Sequence, residues 1–189
     1  MLPKQLEFFK GMSGKWGSAK FALAAPHFYC SVCRAKNFDN KDHPRRFTSD
    51  GQEIPACKDS EMWDRDGAIF LDITSPEKGK KNVYDWANKI TFALGLVDIS
   101  KILLFLRTAD VGGEMSLIHD PGAGTDTKGQ TIKSLKLSSP KGLREGVILN
   151  VSKKAGEDIV SHTVPLSADE VLTLATLLQA ALPKILAWN

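Results

Sequence analysis

The feature that most restricts the fold is an alternation of apolar and polar residues with period two in the second half of the sequence. It recurs in four segments that are separated by glycine, proline or aspartate: 114–119, 130–138, 146–153 and 158–165. Within them, Leu135 and Leu137 alternate with polar neighbours, as do Val147, Leu149 and Val151. Successive side chains of a strand point to opposite faces, so this pattern predicts strands with one buried and one solvated face. Such strands are typical of an antiparallel sheet.

The first half of the chain predicts a second set of strands. Residues 17–35 are rich in Ala, Phe, Tyr and Val, which favours one or two strands. Ile69, Leu71 and Ile73 alternate with other residues. Apolar residues also occupy every even position from 84 to 96 except 88, so each run predicts a strand. A polar, turn-rich stretch interrupts this set, and we predict an inserted hairpin or long loop at about 36–63.

Two helices are predicted from a change of period. Asp98 is a suitable cap for a helix over 98–106. A capping box at 167–170 precedes an apolar stripe from Val171 to Ile185, which predicts an amphipathic C-terminal helix. Leu177 and Ala180 widen that stripe, and we expect the wider surface to contact another subunit. The order of strands and helices predicts one α+β domain over 1–189.

Composition and motifs argue against an enzyme or a membrane protein. No apolar run reaches the ~18 to 20 residues of a membrane span. The sequence has neither a phosphate-binding loop nor a dinucleotide-binding fingerprint. His119 and Asp120 could form an acid–base pair, but a turn in which Asp120 accepts backbone amides is the preferred interpretation. We interpret His162 as a surface residue of its strand.

The cysteines allow a zinc site but do not favour one. Cys30 and Cys33 form a CxxC pair, and Cys57 with His43 or His27 could complete a tetrahedral set. A second pair is missing, so we expect free thiols and no cofactor, with zinc as the alternative. We expect a cytoplasmic protein, because no secretory signal or transit peptide is visible. An organellar location would require that a transit peptide had been removed.

Basic residues interleaved with aromatic residues point to single-stranded nucleic acid. A basic groove with aromatic faces on which bases stack is the usual way to bind a single strand. The net charge is only +3, and exposed lysines around a core of aromatic residues would give the same pattern. The candidate binding residues are Lys15, Trp16, Lys20, Phe21, Arg34, Lys36, Trp63, Arg65, Lys89 and Lys133.

Several segments together resemble the Whirly family, single-stranded DNA-binding proteins described chiefly from plant organelles. The resemblance covers about 15–35 and 64–188, and it depends on the order and spacing of these segments: Gly67 to Leu71, Tyr84 to Lys89, Phe92 to Leu94, Ile118 to Pro121, and Ala181 to Trp188. It implies two antiparallel four-stranded sheets packed crosswise, with helices at one side. It also implies a homotetramer joined through those helices, which binds single-stranded DNA in replication, recombination or repair without catalysis.

The sequence departs from the family in two places. The family's Lys-Gly-Lys-Ala-Ala-Leu motif matches here only at Lys20, Ala22 and Leu23, which leaves assemblies larger than tetramers open. The stretch 36–63 has no counterpart, which indicates a distant member, bacterial or from a phage. The alternatives within the fold are an RNA-binding or annealing protein and a transcriptional regulator. A zinc- or thiol-dependent module built on 27–63 is the alternative from another class.

Overall fold

The fold consists of two large sheets, one small sheet and two helices. The computed structural model describes these residues: 5–9, 17–30, 36–37, 50–52, 62–80, 83–108, 112–123, 126, 128–140 and 145–186. Within them, the buried apolar side chains of both large sheets and both helices form one continuous core. The predicted α+β fold with two antiparallel four-stranded sheets is confirmed.

Sheet 1 has four antiparallel strands in the order β1-β2-β6-β7. Their bounds are Gln5–Phe9 for β1, Ser18–Ala24 for β2, Ala68–Thr74 for β6 and Ile90–Leu94 for β7. On β6, the buried residues Ile69, Leu71 and Ile73 alternate with Phe70 and Asp72 on the opposite face. Sheet 1 therefore has an inner face in the core and an outer face directed away from it.

Sheet 2 is formed by four consecutive antiparallel strands in the order β11-β10-β9-β8. Their bounds are Gly113–His119 for β8, Thr131–Ser139 for β9, Val147–Ala155 for β10 and Asp158–Leu166 for β11. These bounds match the four predicted segments within about two residues. Leu135, Leu149 and Val164 lie on the inner face and are fully buried.

A small three-stranded sheet lies at the ends of the predicted insertion. It consists of β3 (His27–Cys30), β4 (Lys36–Asn37) and β5 (Met62–Arg65), in the order β4-β3-β5. Strands therefore occur at both ends of the stretch 36–63. The rest of that stretch, apart from 50–52, lies outside the described residues.

The helix α1 spans Leu96–Thr108 and begins two residues before the predicted start. The carboxylate of Asp98 accepts a hydrogen bond from the backbone N–H of Gly95 at 3.1 Å. The backbone N–H of Ile99 donates to the carbonyl of Gly95. Asp98 therefore caps the helix from within its first turn, as an acidic residue at that position can do.

The helix α2 spans Ala168–Ile185, and its start follows the predicted capping box. The carboxylate of Glu170 accepts hydrogen bonds at 2.8 Å from the backbone N–H and from the hydroxyl of Ser167. At the other end, a Cβ atom on Gly67 would lie 2.7 Å from the Cα atom of Ile185. A glycine is therefore needed where α2 meets the start of β6.

The run from 84 to 96 forms a strand only over β7, so the longer predicted strand is wrong. Trp86–Asn88 forms a 3-10 turn, in which the side chain of Asp85 accepts hydrogen bonds from the backbone N–H and the amide of Asn88. These local hydrogen bonds compete with those between strands, so the strand begins only at Ile90. Neither α-helix described here has the length and apolar character needed to cross a bilayer.

Candidate nucleic-acid interface

The outer face of sheet 1 brings basic, aromatic and small side chains together. The pairing register aligns two rows of side chains across β2, β6 and β7: Lys20, Asp72 and Thr91 in one row, and Ala22, Phe70 and Ala93 in the next. Directly opposite side chains lie ~5 Å apart, and diagonal neighbours such as Lys20 and Phe70 lie within reach of long side chains. A cation and an aromatic ring therefore share one open surface.

Phe70 is the described aromatic side chain best placed to meet a base. It is 41% exposed, although its neighbours on β6, Ile69 and Leu71, are buried. Ala22 and Ala93 flank it on the adjacent strands, and neither has side-chain atoms beyond Cβ to cover the ring. Phe70 is not among the binding residues predicted from the sequence. The signal was present, since the alternation at 68–74 places Phe70 on the face opposite to the core.

A carboxylate lies in the middle of the neighbouring row. Asp72 forms an ion pair with Lys89, with 2.5 Å between its Oδ2 atom and the lysine Nζ atom. Its other carboxylate oxygen accepts a hydrogen bond from the hydroxyl of Thr91. Lys89 is exposed, but part of its charge is offset by Asp72. Lys20 lies between Glu7 on β1 and Asp72 on β6 in the register, and it has no ion pair among the side chains that the structure describes.

Lys133 connects sheet 2 to the edge of sheet 1. Its Nζ atom donates a hydrogen bond of 2.8 Å to the backbone carbonyl of Thr91 on β7. Partial burial, and secondly the positive charge of Lys153, lower the pKa of Lys133 below the usual value of a lysine. Lys133 therefore holds two elements together in addition to carrying a charge.

A turn follows β8 at Asp120 to Ala123, as predicted, and His119 is the last residue of the strand. The carboxylate of Asp120 accepts hydrogen bonds from the backbone N–H of Gly122 at 2.9 Å and of Gly129 at 2.8 Å. The ring of His119 stacks on Phe92 with 4.2 Å between ring centroids, and its Nε2 atom lies 3.1 Å from Asp98. Asp120 and His119 thus have separate partners that stabilise the fold.

The prediction that His162 is a surface residue is wrong. Its side chain is only 7% exposed, with Nδ1 2.7 Å from the hydroxyl of Ser75 and Nε2 3.3 Å from the carbonyl of Asn88. A carbonyl can only accept, so Nε2 is the donor to Asn88. His162 lies on the inner face because it is in phase with Val164 and Leu166, both of which are buried.

The other predicted binding residues fall into three groups. Phe21 is 6% exposed and lies in the core, so its ring cannot stack on a base at the interface. Lys36 and Trp63 are both paired with Tyr29 across the small sheet, and Arg65 is paired with His27. Lys15, Trp16 and Arg34 lie outside the described residues.

The structure describes little of the possible zinc set. Cys30 ends β3 and is paired with Met62, whereas Cys33, His43 and Cys57 lie outside the described residues. Within the described ranges, no cluster of three or more His, Cys, Asp or Glu side chains could hold a metal ion.

The helices divide their apolar side chains between the core and the surface, and Leu177 and Ala180, which were predicted to widen the stripe of α2, are partly exposed. The stripe from Val171 to Ile185 is buried against the chain's own core, so it is not free to contact a second subunit. Exposed apolar side chains lie elsewhere on the helices, at Val97 and Leu104 of α1 and at Leu172 of α2. Because Val97 and Leu104 are seven residues apart, they lie on the same side of α1.

Comparison with known proteins gives one family and a set of similar folds. The profile of the family described as Whirly transcription factor matches residues 54–177. The structure of WHY3 from Arabidopsis thaliana is similar, with a TM-score of 0.69 and 18% identity over 100% of this chain and 91% of that one. For WHY1 from the same plant, the TM-score is 0.68 with 19% identity over 97% of this chain and 85% of that one.

A third similar structure is that of the plant transcriptional regulator PBF-2, with a TM-score of 0.66. Its identity is 18%, over 97% of this chain and 82% of that one. No protein of curated function matches the sequence. At identities this low, the likeness to solved structures establishes the fold, and the family profile establishes the relationship.

Proposed function

The chain belongs to the Whirly family, and from this membership and the outer face of sheet 1 we propose that it binds single-stranded DNA with little regard to sequence. The observation that carries the proposal is the exposed ring of Phe70 diagonally beside the charge of Lys20. Stacking tolerates any base because every base has a π face, and lysines neutralise phosphates. The proposed action is binding without catalysis.

The geometry suggests how a single strand would bind. A base unstacked from its neighbours would lie on Phe70, between the two flanking alanines. The adjoining phosphates would lie near Lys20 and Lys89, where Asp72 opposes them and moderates the attraction. In a duplex, each base is already stacked and paired, so Phe70 would have no free base face to meet.

We expect single-stranded DNA to bind at least tenfold more tightly than a duplex of the same length. The affinity should fall as salt rises, because phosphate contacts release counterions. Fluorescence anisotropy with labelled oligonucleotides at two salt concentrations measures both effects. Equal affinity for the two forms, or affinity that does not change with salt, would contradict the proposal.

Replacing Lys20 by alanine should weaken binding of single-stranded DNA by roughly two- to fivefold, the range of one partly solvated charge contact. The fold should be retained, because the side chain lies on the outer face rather than in the core. Lys20→Arg is the matched control and should bind like the wild type. If alanine and arginine variants bind equally well, Lys20 does not contact the phosphates.

Two other functions use the same surface. Regulation of transcription is the second candidate, since both the family description and PBF-2 carry that role. RNA binding is distinguished by competition between matched DNA and RNA oligonucleotides, since no reader of the 2′-hydroxyl is identified. We propose that the protein acts in DNA replication, recombination or repair, in the cytoplasm or, as the alternative, in an organelle.

We further propose a homotetramer that is joined through the helices and needs no cofactor. The exposed apolar side chains of Val97, Leu104 and Leu172 are the described groups that such an interface would cover. The metal content of the purified protein tests the second part of this proposal, that no cofactor is needed. One equivalent of tightly held zinc would contradict it and would favour a zinc site formed by Cys30, Cys33, Cys57 and His43.

A further inference from the structure

Two lysines lie side by side at one end of sheet 2. Lys133 on β9 and Lys153 on β10 are directly opposite in the register. They are in phase with the buried residues Leu135 and Val151 and lie one step beyond them, where the core ends. His119 on β8 is opposite Lys133 on its other side.

This arrangement costs free energy in the protein alone. Like charges directly opposite each other on neighbouring strands are destabilising. Among the described residues, neither lysine has a carboxylate at ion-pair distance. Burial first, and the charge of Lys153 second, lower the pKa of Lys133, so both oppose its charged form. At neutral pH the cost is present, and it disappears only as the pH rises through the pKa of the folded state towards that of the unfolded chain.

The lysine pair adjoins the surface that we assign to DNA. Lys133 donates to the carbonyl of Thr91, and the hydroxyl of the same threonine donates to Asp72 on the outer face of sheet 1. One residue of β7 therefore separates the two sets of charges. A strand of nucleic acid that crosses β2, β6 and β7 would meet Lys133 and Lys153 next.

We propose that Lys133 and Lys153 form a second phosphate-binding site, which takes a phosphodiester group of the same single strand that lies on the outer face of sheet 1. An ammonium group has three N–H donors, and Lys133 uses one of them for Thr91. Two donors of Lys133 and the exposed amine of Lys153 remain for phosphate oxygens. The two strands lie ~4.8 Å apart, which lets both amines reach one phosphate group.

The site depends on the proposed function, and it extends the interface from sheet 1 to sheet 2. Only one face of β10 contributes a lysine to the site. Lys154, the next residue, points to the opposite face of the same strand and is also exposed. The chain therefore offers two neighbouring lysines of the same charge, of which only Lys153 belongs to the site.

The experiment compares Lys153→Gln with Lys154→Gln in binding of single-stranded DNA over a range of salt concentrations. Loss of one phosphate contact lowers the slope of log affinity against log salt by about 0.7 for a single strand. We expect this decrease, with a two- to fivefold loss of affinity at moderate salt, for Lys153→Gln and not for Lys154→Gln. Both residues are exposed on one strand, so both variants should fold normally.

The outcomes separate this site from the proposed function. If the wild type prefers single-stranded DNA but the two variants have the same affinity and the same salt slope, the lysine site is overturned. The proposed function is retained in that case. A wild type that does not prefer single-stranded DNA overturns the proposed function instead. An NMR titration of the Lys133 amine tests the site without DNA: inorganic phosphate should raise the pKa of Lys133 in wild type, and Lys153→Gln should diminish that response. An unchanged pKa in phosphate would contradict the proposal.

Discussion

Replacing Phe70 by alanine is expected to weaken binding of single-stranded DNA by about 5- to 150-fold, which corresponds to the ~1 to 3 kcal/mol of one base stacked on an aromatic ring. The effect should exceed that of any single lysine, because stacking is the step that distinguishes a single strand from a duplex. The fold should be retained, since the ring contributes little to the core. Anisotropy with labelled oligonucleotides measures the affinity, and thermal unfolding checks the fold.

Two matched variants make the Phe70 result decisive. Phe70→Trp keeps an aromatic face at the same position and should bind nearly as well as the wild type. Ile159→Ala removes another exposed apolar side chain, on the edge strand β11, and should have no effect. If alanine at position 70 binds like the wild type, bases do not stack on sheet 1.

Replacing Leu178 by aspartate is expected to unfold the protein at ordinary temperatures. Leu178 is only 1% exposed and lies in the stripe of α2 that packs into the core. Truncation of a buried leucine costs about 2 to 5 kcal/mol, and an unpaired buried carboxylate adds to this cost. The total stability of a domain is about 5 to 15 kcal/mol. Circular dichroism and urea unfolding measure the loss.

The same helix supplies the control for Leu178. Leu172 is 70% exposed, so Leu172→Asp should leave the protomer folded. In the proposed tetramer this variant should shift the mass measured by light scattering to smaller species, because the charge would oppose burial between subunits. A folded Leu178→Asp protein would show that α2 does not pack as described.

The strands of sheet 2 could be predicted closely because one physical rule governs them. Each has one buried and one solvated face, so period two is visible in the sequence. The run at 84–96 shows where this reasoning fails. Its apolar residues continue at even positions, but the hydrogen bonds of Asp85 form a turn and those of Gly95 start a helix. Side chains that compete for backbone groups are not visible in an apolar pattern.

The candidate site was less predictable than the fold. Lys20 was selected from its charge and lies on the outer face of sheet 1, whereas Phe21 was selected as an aromatic residue and lies in the core. Residue type alone cannot separate these cases, but the phase of a strand can. The pairing of Lys133 with Lys153 depends on the register of β9 with β10, which no local pattern in either strand specifies.

The hydrogen bond from Lys133 to Thr91 has a consequence for solubility. Within the described residues, β7 is an edge strand of sheet 1, and an edge strand exposes backbone groups that can recruit a strand from another molecule. Here the amine of Lys133 donates a hydrogen bond to the carbonyl of Thr91 on β7, and Lys89 immediately precedes the strand. An incoming strand would have to displace one ammonium group and desolvate another. The two lysines therefore protect the protein against aggregation through this edge.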